Sequence, residues 1–257
     1  MKHNILIERD DGEYIRALHK PASKEATIVH GDPHLVILVH GFPKYQQQDN
    51  QIFDLLAETL HSLGWCSLQF DFTHCGESDL YTQKFSLASA IQDLEAVFNW
   101  AEEENYHSFG FIGEGLAAPI LYMAQPENTK YNILYWPVFD LPLVNNSQFK
   151  VDQHKDQLEK NGYLNHDGLL VGQDFINELN KTVLMPYLEA VKAPTLILHG
   201  VNDDVIPITH LDVAREHLKG RRISLTTFDD GGYGLDKENH REACLHHTRE
   251  FIEIYAE

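Results

Sequence analysis

The chain has 257 residues, enough for one large α/β domain or two small ones, and 43% of them are hydrophobic, which allows a sizeable core. Its formal net charge of −19 repels phosphate backbones and anionic lipid, so nucleic-acid and membrane partners are disfavoured. No apolar run approaches the roughly 20 residues of a membrane span, and the opening MKHNILIERDDGEYIRALHK has no signal-peptide core. Cys66, Cys75 and Cys244 lack disulfide-framework or metal-ligand spacing, so a reducing compartment, the cytoplasm, is expected. Neither a metal nor a cofactor is expected, and the oligomeric state stays open. The 16 histidines read as surface bias, and the adjacent His246 and His247 point different ways on a helix, a poor metal site.

In chain order, the first thirty residues suggest an antiparallel edge hairpin. HLVILVHG (34–41) is a continuous apolar strand of the kind covered on both faces. NQIFDLLAETLHSLG (50–64) puts Ile52, Leu55, Leu56, Leu60 and Leu63 on one helix face, with Asp49 or Asn50 as cap and Gly64 as stop. Strand CSLQFDF (66–72) follows, then a helix over SLASAIQDLEAVFNWAEEE (86–104) with Ile91, Leu94, Phe98 and Ala101 aligned. SFGFIG (108–113), NILYWPV (132–138), TLILHG (195–200) and ISLTTF (223–228) complete the strands. HLDVAREHLKG (210–220) and the segment from His240 onward supply two more helices. This alternation predicts a mostly parallel sheet flanked by helices. From about 139 to 192 no strand is expected. The polar stretch 145–168 and one helical stretch, QDFINELNKTVLMPYLEAV (173–191), predict a helical cap inserted in a core of 1–138 and 193–257.

Four landmarks fall in order: VILVHGFPK with His40-Gly41-Phe42, FDFTHCGESD over 70–79, FGFIGEGLAAPI over 109–120, and APTLILHGVNDDVIP, where Asp203 precedes Pro207 by four residues. FDDGGYGLD closes the series. Together they resemble the α/β-hydrolase superfamily over nearly the whole chain, and most of all its bacterial esterase and serine-aminopeptidase-like branch. That branch has a helical cap between the sixth and seventh strands of its sheet. The resemblance implies that Gly113, Glu114, Gly115, Leu116 and Ala117 occupy the G-x-S-x-G elbow. Gly115 then holds the nucleophile position, Asp203 the acid position and Tyr233 the histidine position. The backbone N–H groups of Phe42 and Leu116 would form the oxyanion hole.

Two of the three triad positions thus carry different chemistry. Glycine has no atom with which to attack a carbonyl, and tyrosine, with a free pKa near 10, is a poor base at neutral pH. In subtilisin, loss of a key triad member lowers kcat on the order of a millionfold. Only binding and oxyanion stabilisation, about 10³–10⁴ over water, would survive. Side-chain loss spares backbone donors, and a helix N-terminus favours negative charge. The expectation is therefore a pocket that binds a small acyl or carboxylate ligand, or a partner, without ordinary serine-hydrolase turnover. The alternatives are a lyase-type or ester-hydrolysing enzyme working through Tyr233, Asp203 and the oxyanion amides, or through Cys75. Tyr233 is expected to donate its hydroxyl toward Asp203. Glu114 is expected to face away from the pocket, and His40 to shape its loop.

Overall fold

The structure, a computed structural model, describes residues 2–23, 34–42, 52–76, 81–124, 126, 128–218, 222–235 and 237–256. Its main sheet has eight strands: β1 (His3–Glu8), β2 (Tyr14–Lys20), β3 (Leu35–Val39), β4 (Cys66–Phe70), β5 (Phe109–Glu114), β6 (Thr129–Tyr135), β9 (Thr195–Gly200) and β10 (Ile223–Phe228). They are ordered β1-β2-β4-β3-β5-β6-β9-β10. β1 with β2, and β2 with β4, run antiparallel, and every later pairing is parallel. The expected edge hairpin is therefore present, and each apolar run lies within or overlaps a strand.

The strands that read as unbroken apolar runs are the central ones. Every residue of β3, β4, β5 and β9 is buried, as a sheet covered on both faces requires. The edge strand β10 carries only half-buried and exposed residues. Helix α1 (Ile52–Leu63) packs Phe53, Leu56 and Leu60 inward and stops at Gly64, which adopts a left-handed φ of 91°. Its proposed caps, Asp49 and Asn50, lie outside the described residues. Helix α2 (Leu87–Glu103) starts at Ser86, whose side chain accepts the Ser89 N–H at 2.9 Å. Helix α3 (Ala117–Ala124) follows β5 directly.

Between β6 and β9 the chain forms α4 (Leu141–Ser147), α5 (Lys155–Asn161), a hairpin of β7 (Tyr163–His166) and β8 (Leu169–Gly172), α6 (Gln173–Lys181) and α7 (Met185–Ala190). The hairpin corrects the strand-free expectation for 139–192. Asp167 and Gly168 both have positive φ, 50° and 92°, as a tight hairpin turn of matching twist demands. The single helix expected over 173–191 is two helices, the second opening with Pro186 in its first turn. The chain ends with α8 (His210–His217) and α9 (Glu238–Tyr255). α9 packs on the sheet through a 2.7 Å hydrogen bond between the Tyr135 and Thr248 hydroxyls. No helix among the described residues is long and apolar enough to cross a membrane.

Candidate functional site

The site forms where β3, β5 and β9 end. β5 runs into Gly115 and Leu116, and α3 begins at Ala117. Close approach explains the small residues: a Cβ on Gly113 would sit 3.0 Å from the Ala117 Cβ. Gly115 is small for a different reason. Its φ is +51°, a conformation that strains an L side chain. Space is available there, because an added Cβ would meet Ile206 Cδ1 at 3.5 Å and Trp136 Cδ1 at 4.0 Å, ordinary contacts. The turn is fixed by the Gly115 N–H donating to Tyr135 O at 3.1 Å. Its carbonyl in turn accepts from Val138 N at 3.0 Å and Ala118 N at 3.3 Å.

Phe42 follows β3 on the other side of this turn. No acceptor among the described residues pairs with the N–H of Phe42 or of Leu116. Both residues are nonetheless buried, so two backbone donors sit in buried residues with no acceptor among the described residues. The Phe42 ring stacks on Phe85 at 4.1 Å and meets Phe175 edge-on at 5.0 Å. Phe149 joins at 6.2 Å. Phe149 and Phe175 come from the segment between β6 and β9, which therefore supplies aromatic wall beside the donors. That segment also supplies Gln148, whose Nε2 donates to Phe42 O at 3.1 Å. No sequence pattern marked Gln148, a polar residue in an irregular stretch.

His40 is a loop brace. Its Nδ1 lies 2.7 Å from Gly41 O and its Nε2 accepts the Phe72 N–H at 3.2 Å, which ties the ends of β3 and β4 together. Cys75 is buried, and burial together with the Asp71 and Asp93 charges pushes its thiol well above the ordinary range. A thiol without its proton removed is a poor nucleophile. Asp79, in the turn after β4, lies outside the described residues.

The acid side is built differently. Asp203 Oδ1 accepts the N–H groups of Val205 and Ile206 at 2.9 and 2.7 Å. Its Oδ2 is buried with no hydrogen-bond partner. His199 Nε2 lies 4.0 Å from Oδ2 but is engaged by Ile206 O at 2.8 Å. Burial pushes the Asp203 carboxyl up to about 6, against the pull of its two backbone bonds.

The expected Tyr233–Asp203 hydrogen bond is not formed. The Gly-rich loop lies flush on β9, so close that a Cβ on Gly200 would fall 2.5 Å from Gly231 O. Tyr233 instead sets its ring edge-on to Trp136 at 6.3 Å. Burial, then the Glu114 and Asp203 charges, push its hydroxyl upward, so Tyr233 is a neutral phenol and a poor base.

Glu114 is buried, as residues of a central strand are. It pairs in register with Tyr135, whose hydroxyl reaches α9. Its charge raises Tyr135, Tyr233 and Cys244, the last, after burial, to about 12. The carboxylate therefore lies within electrostatic reach of Tyr135, Tyr233 and Cys244 on α9. Among the described residues no group of three or more His, Cys, Asp or Glu side chains could hold a metal ion.

An eight-stranded, mostly parallel sheet with this order, a glycine-bearing elbow after β5 and an aspartate after β9 can be compared with known proteins. An AB hydrolase superfamily protein, YisY of Bacillus subtilis (strain 168), is 26% identical over 258 residues, covering 87% of this chain and 92% of that protein. The chain is similar to α/β-hydrolase superfamily proteins and has their fold. Among solved structures, Est1E of Butyrivibrio proteoclasticus with bound ferulic acid superposes with a TM-score of 0.83 at 17% identity, covering 98% of this chain and 99% of that one. An esterase of Pyrococcus furiosus gives 0.75 at 16% identity, covering 99% and 91%. Mouse alpha/beta hydrolase domain-containing protein 10 gives 0.75 at 13% identity, covering 98% of both chains. These structural likenesses carry the fold. No family model matches the chain.

Proposed function

We propose that this α/β-hydrolase-fold chain binds a small acyl or carboxylate compound at the Phe42 and Leu116 N–H groups without serine-type turnover. The observation that carries the reading is a pair of backbone donors, in buried residues and without an acceptor among the described residues, beside the glycine of the elbow. Backbone donors aimed at one point stabilise an acyl oxygen whether or not a reaction follows. The aromatic wall of Phe42, Phe85, Phe149 and Phe175 suits the apolar part of such a ligand. Gly115 offers no attacking atom, Tyr233 no ready base, and the buried thiol of Cys75 no thiolate.

The second reading is ester hydrolysis by other residues. It is favoured by the esterases among the structural neighbours and by the buried pair Glu114 and Asp203 near Tyr233. It predicts turnover of an activated ester that Asp203→Asn abolishes.

Titration of propionamide, watched through the Phe42 and Leu116 amide resonances, tests the first reading. Saturable shifts at both residues are expected. Unmoved resonances at high ligand concentration would remove it.

A further inference from the structure

Asp203 is a carboxylate with one oxygen engaged and the other left over. Oδ1 receives two backbone N–H groups, while Oδ2 has no partner although the residue is only 5% exposed. None of the ion pairs among the described residues brings a lysine or arginine to it, and the nearest histidine nitrogen, at 4.0 Å, is engaged elsewhere. A buried anionic oxygen without a donor is unfavourable. A ligand that brings the donor would relieve it.

Its neighbours bring Asp203 close to the elbow. Ile206, whose N–H holds Oδ1, places its Cδ1 3.5 Å from where a side chain on Gly115 would begin. Trp136 comes within 4.0 Å of the same point, and Tyr233 meets Trp136 edge-on at 6.3 Å. Aromatic rings beside an anion are a favourable lining for an ammonium group and its methylenes. The net charge of −19 adds an independent argument: it concentrates cations near the surface and repels free anions.

We propose that the ligand carries an ammonium group as well as its acyl oxygen: an ω-amino acyl amide or ester, with the oxygen on Phe42 and Leu116 and the ammonium on Asp203 Oδ2. This rests on the acyl-binding reading above and adds a second anchor to it. The spacing follows from what a triad would place between these points. An imidazole and two hydrogen bonds of about 2.8 Å each separate acid from nucleophile position. The ammonium must therefore stand several atoms from the carbonyl, farther than in an α-amino acid.

Calorimetric titration with 4-aminobutanamide and with pentanamide, its neutral isostere, tests the second anchor. The Phe42 and Leu116 amide resonances are followed in parallel. The wild-type chain should bind the amine at least about tenfold more tightly. In Asp203→Asn, which keeps an oxygen for the Val205 and Ile206 N–H groups, the preference for the amine over pentanamide should fall below about twofold. Equal binding of both compounds by the wild type, or a preference that survives Asp203→Asn, overturns the second anchor and leaves the acyl reading standing. Failure of both compounds to move the two amide resonances overturns both.

Discussion

Two buried aspartates in this chain are treated in opposite ways. Asp93, on α2, is fully enclosed. It accepts the Thr73 N–H at 2.8 Å, the Thr73 hydroxyl at 2.7 Å and Arg9 at 2.7 Å. Arg9 is itself held by Ser89, Gln92 and Asp11. Asp203, at the end of β9, is nearly as enclosed, but one of its oxygens is left without a donor. The first carboxylate knits β1, the turn after β4 and α2 into one unit. The second serves no such joint, and its removal should relieve the fold. A buried charge that is fully partnered marks architecture, and one that is half-partnered beside an elbow marks a site.

The largest effect in this comparison should come from Arg9→Leu. It leaves Asp93 buried with only the two Thr73 donors, and the expected loss is about 3 kcal/mol in urea unfolding. A change under about 0.5 kcal/mol would show that the Arg9 network is as dispensable as a surface pair.

Asp203→Asn should move stability the other way, by on the order of 2 kcal/mol at pH 8. The sign follows from the raised carboxyl. The native state holds this proton up to about pH 6, whereas the unfolded chain releases it near 3.8. The stabilising contribution is thus present below about 4 and lost as pH rises through 6. The gap between variant and wild type should therefore close on acidification from pH 8 to 4. The wild-type profile alone hides this, because His210 acts in the opposite sense. Its Nδ1 accepts the Phe139 and Asp140 N–H groups, and burial lowers it to about 4. Stability from His210 is full above 6.5 and is lost as pH falls toward 4. Only the difference between wild type and variant isolates Asp203. A variant less stable than wild type at pH 8 would mean that Oδ2 is partnered in solution.

Gly115→Ser should have the smallest effect on stability. The added side chain meets Ile206 and Trp136 at ordinary distances, so only the positive φ is penalised. The expected loss is about 1 kcal/mol, seen as a melting point lower by about 2–4 °C. A raised melting point would show that the turn is relaxed for any residue.

Much of the fold was legible because the central strands are continuous apolar runs. β3, β5 and β9 must be apolar on both sides, and a run such as LVILV has few other uses. The elbow was legible for a related reason: a strand, a glycine-flanked turn and an alanine-rich helix start have to pack within contact distance. The hairpin at Tyr163–Gly172 was not read, because its strands are short and carry Asn165 and His166 among apolar residues. The Asp167-Gly168 pair was the available signal.

Of the site, the resemblance points to the Phe42 and Leu116 backbone donors, since these depend only on where strands end. The side-chain relations could not. The orientation of Tyr233 is decided by Trp136 and by how tightly its glycine loop lies on β9. Glu114 pairs in register with Tyr135 and its charge acts on Tyr135, Tyr233 and Cys244, relations no local pattern encodes. Gln148 reaches Phe42 across 106 positions of chain, a contact no local pattern encodes.

The most direct test of whether a pocket shaped for acyl transfer has kept its donors and lost its reacting side chains is fluorophosphonate labelling with turnover of p-nitrophenyl acetate. Wild type and Gly115→Ser combined with Tyr233→His should be compared side by side. The predicted result is no label and no turnover above buffer for the wild type, with slow turnover and labelling of the introduced hydroxyl in the double variant. Stoichiometric labelling of a serine in the wild-type chain would contradict it.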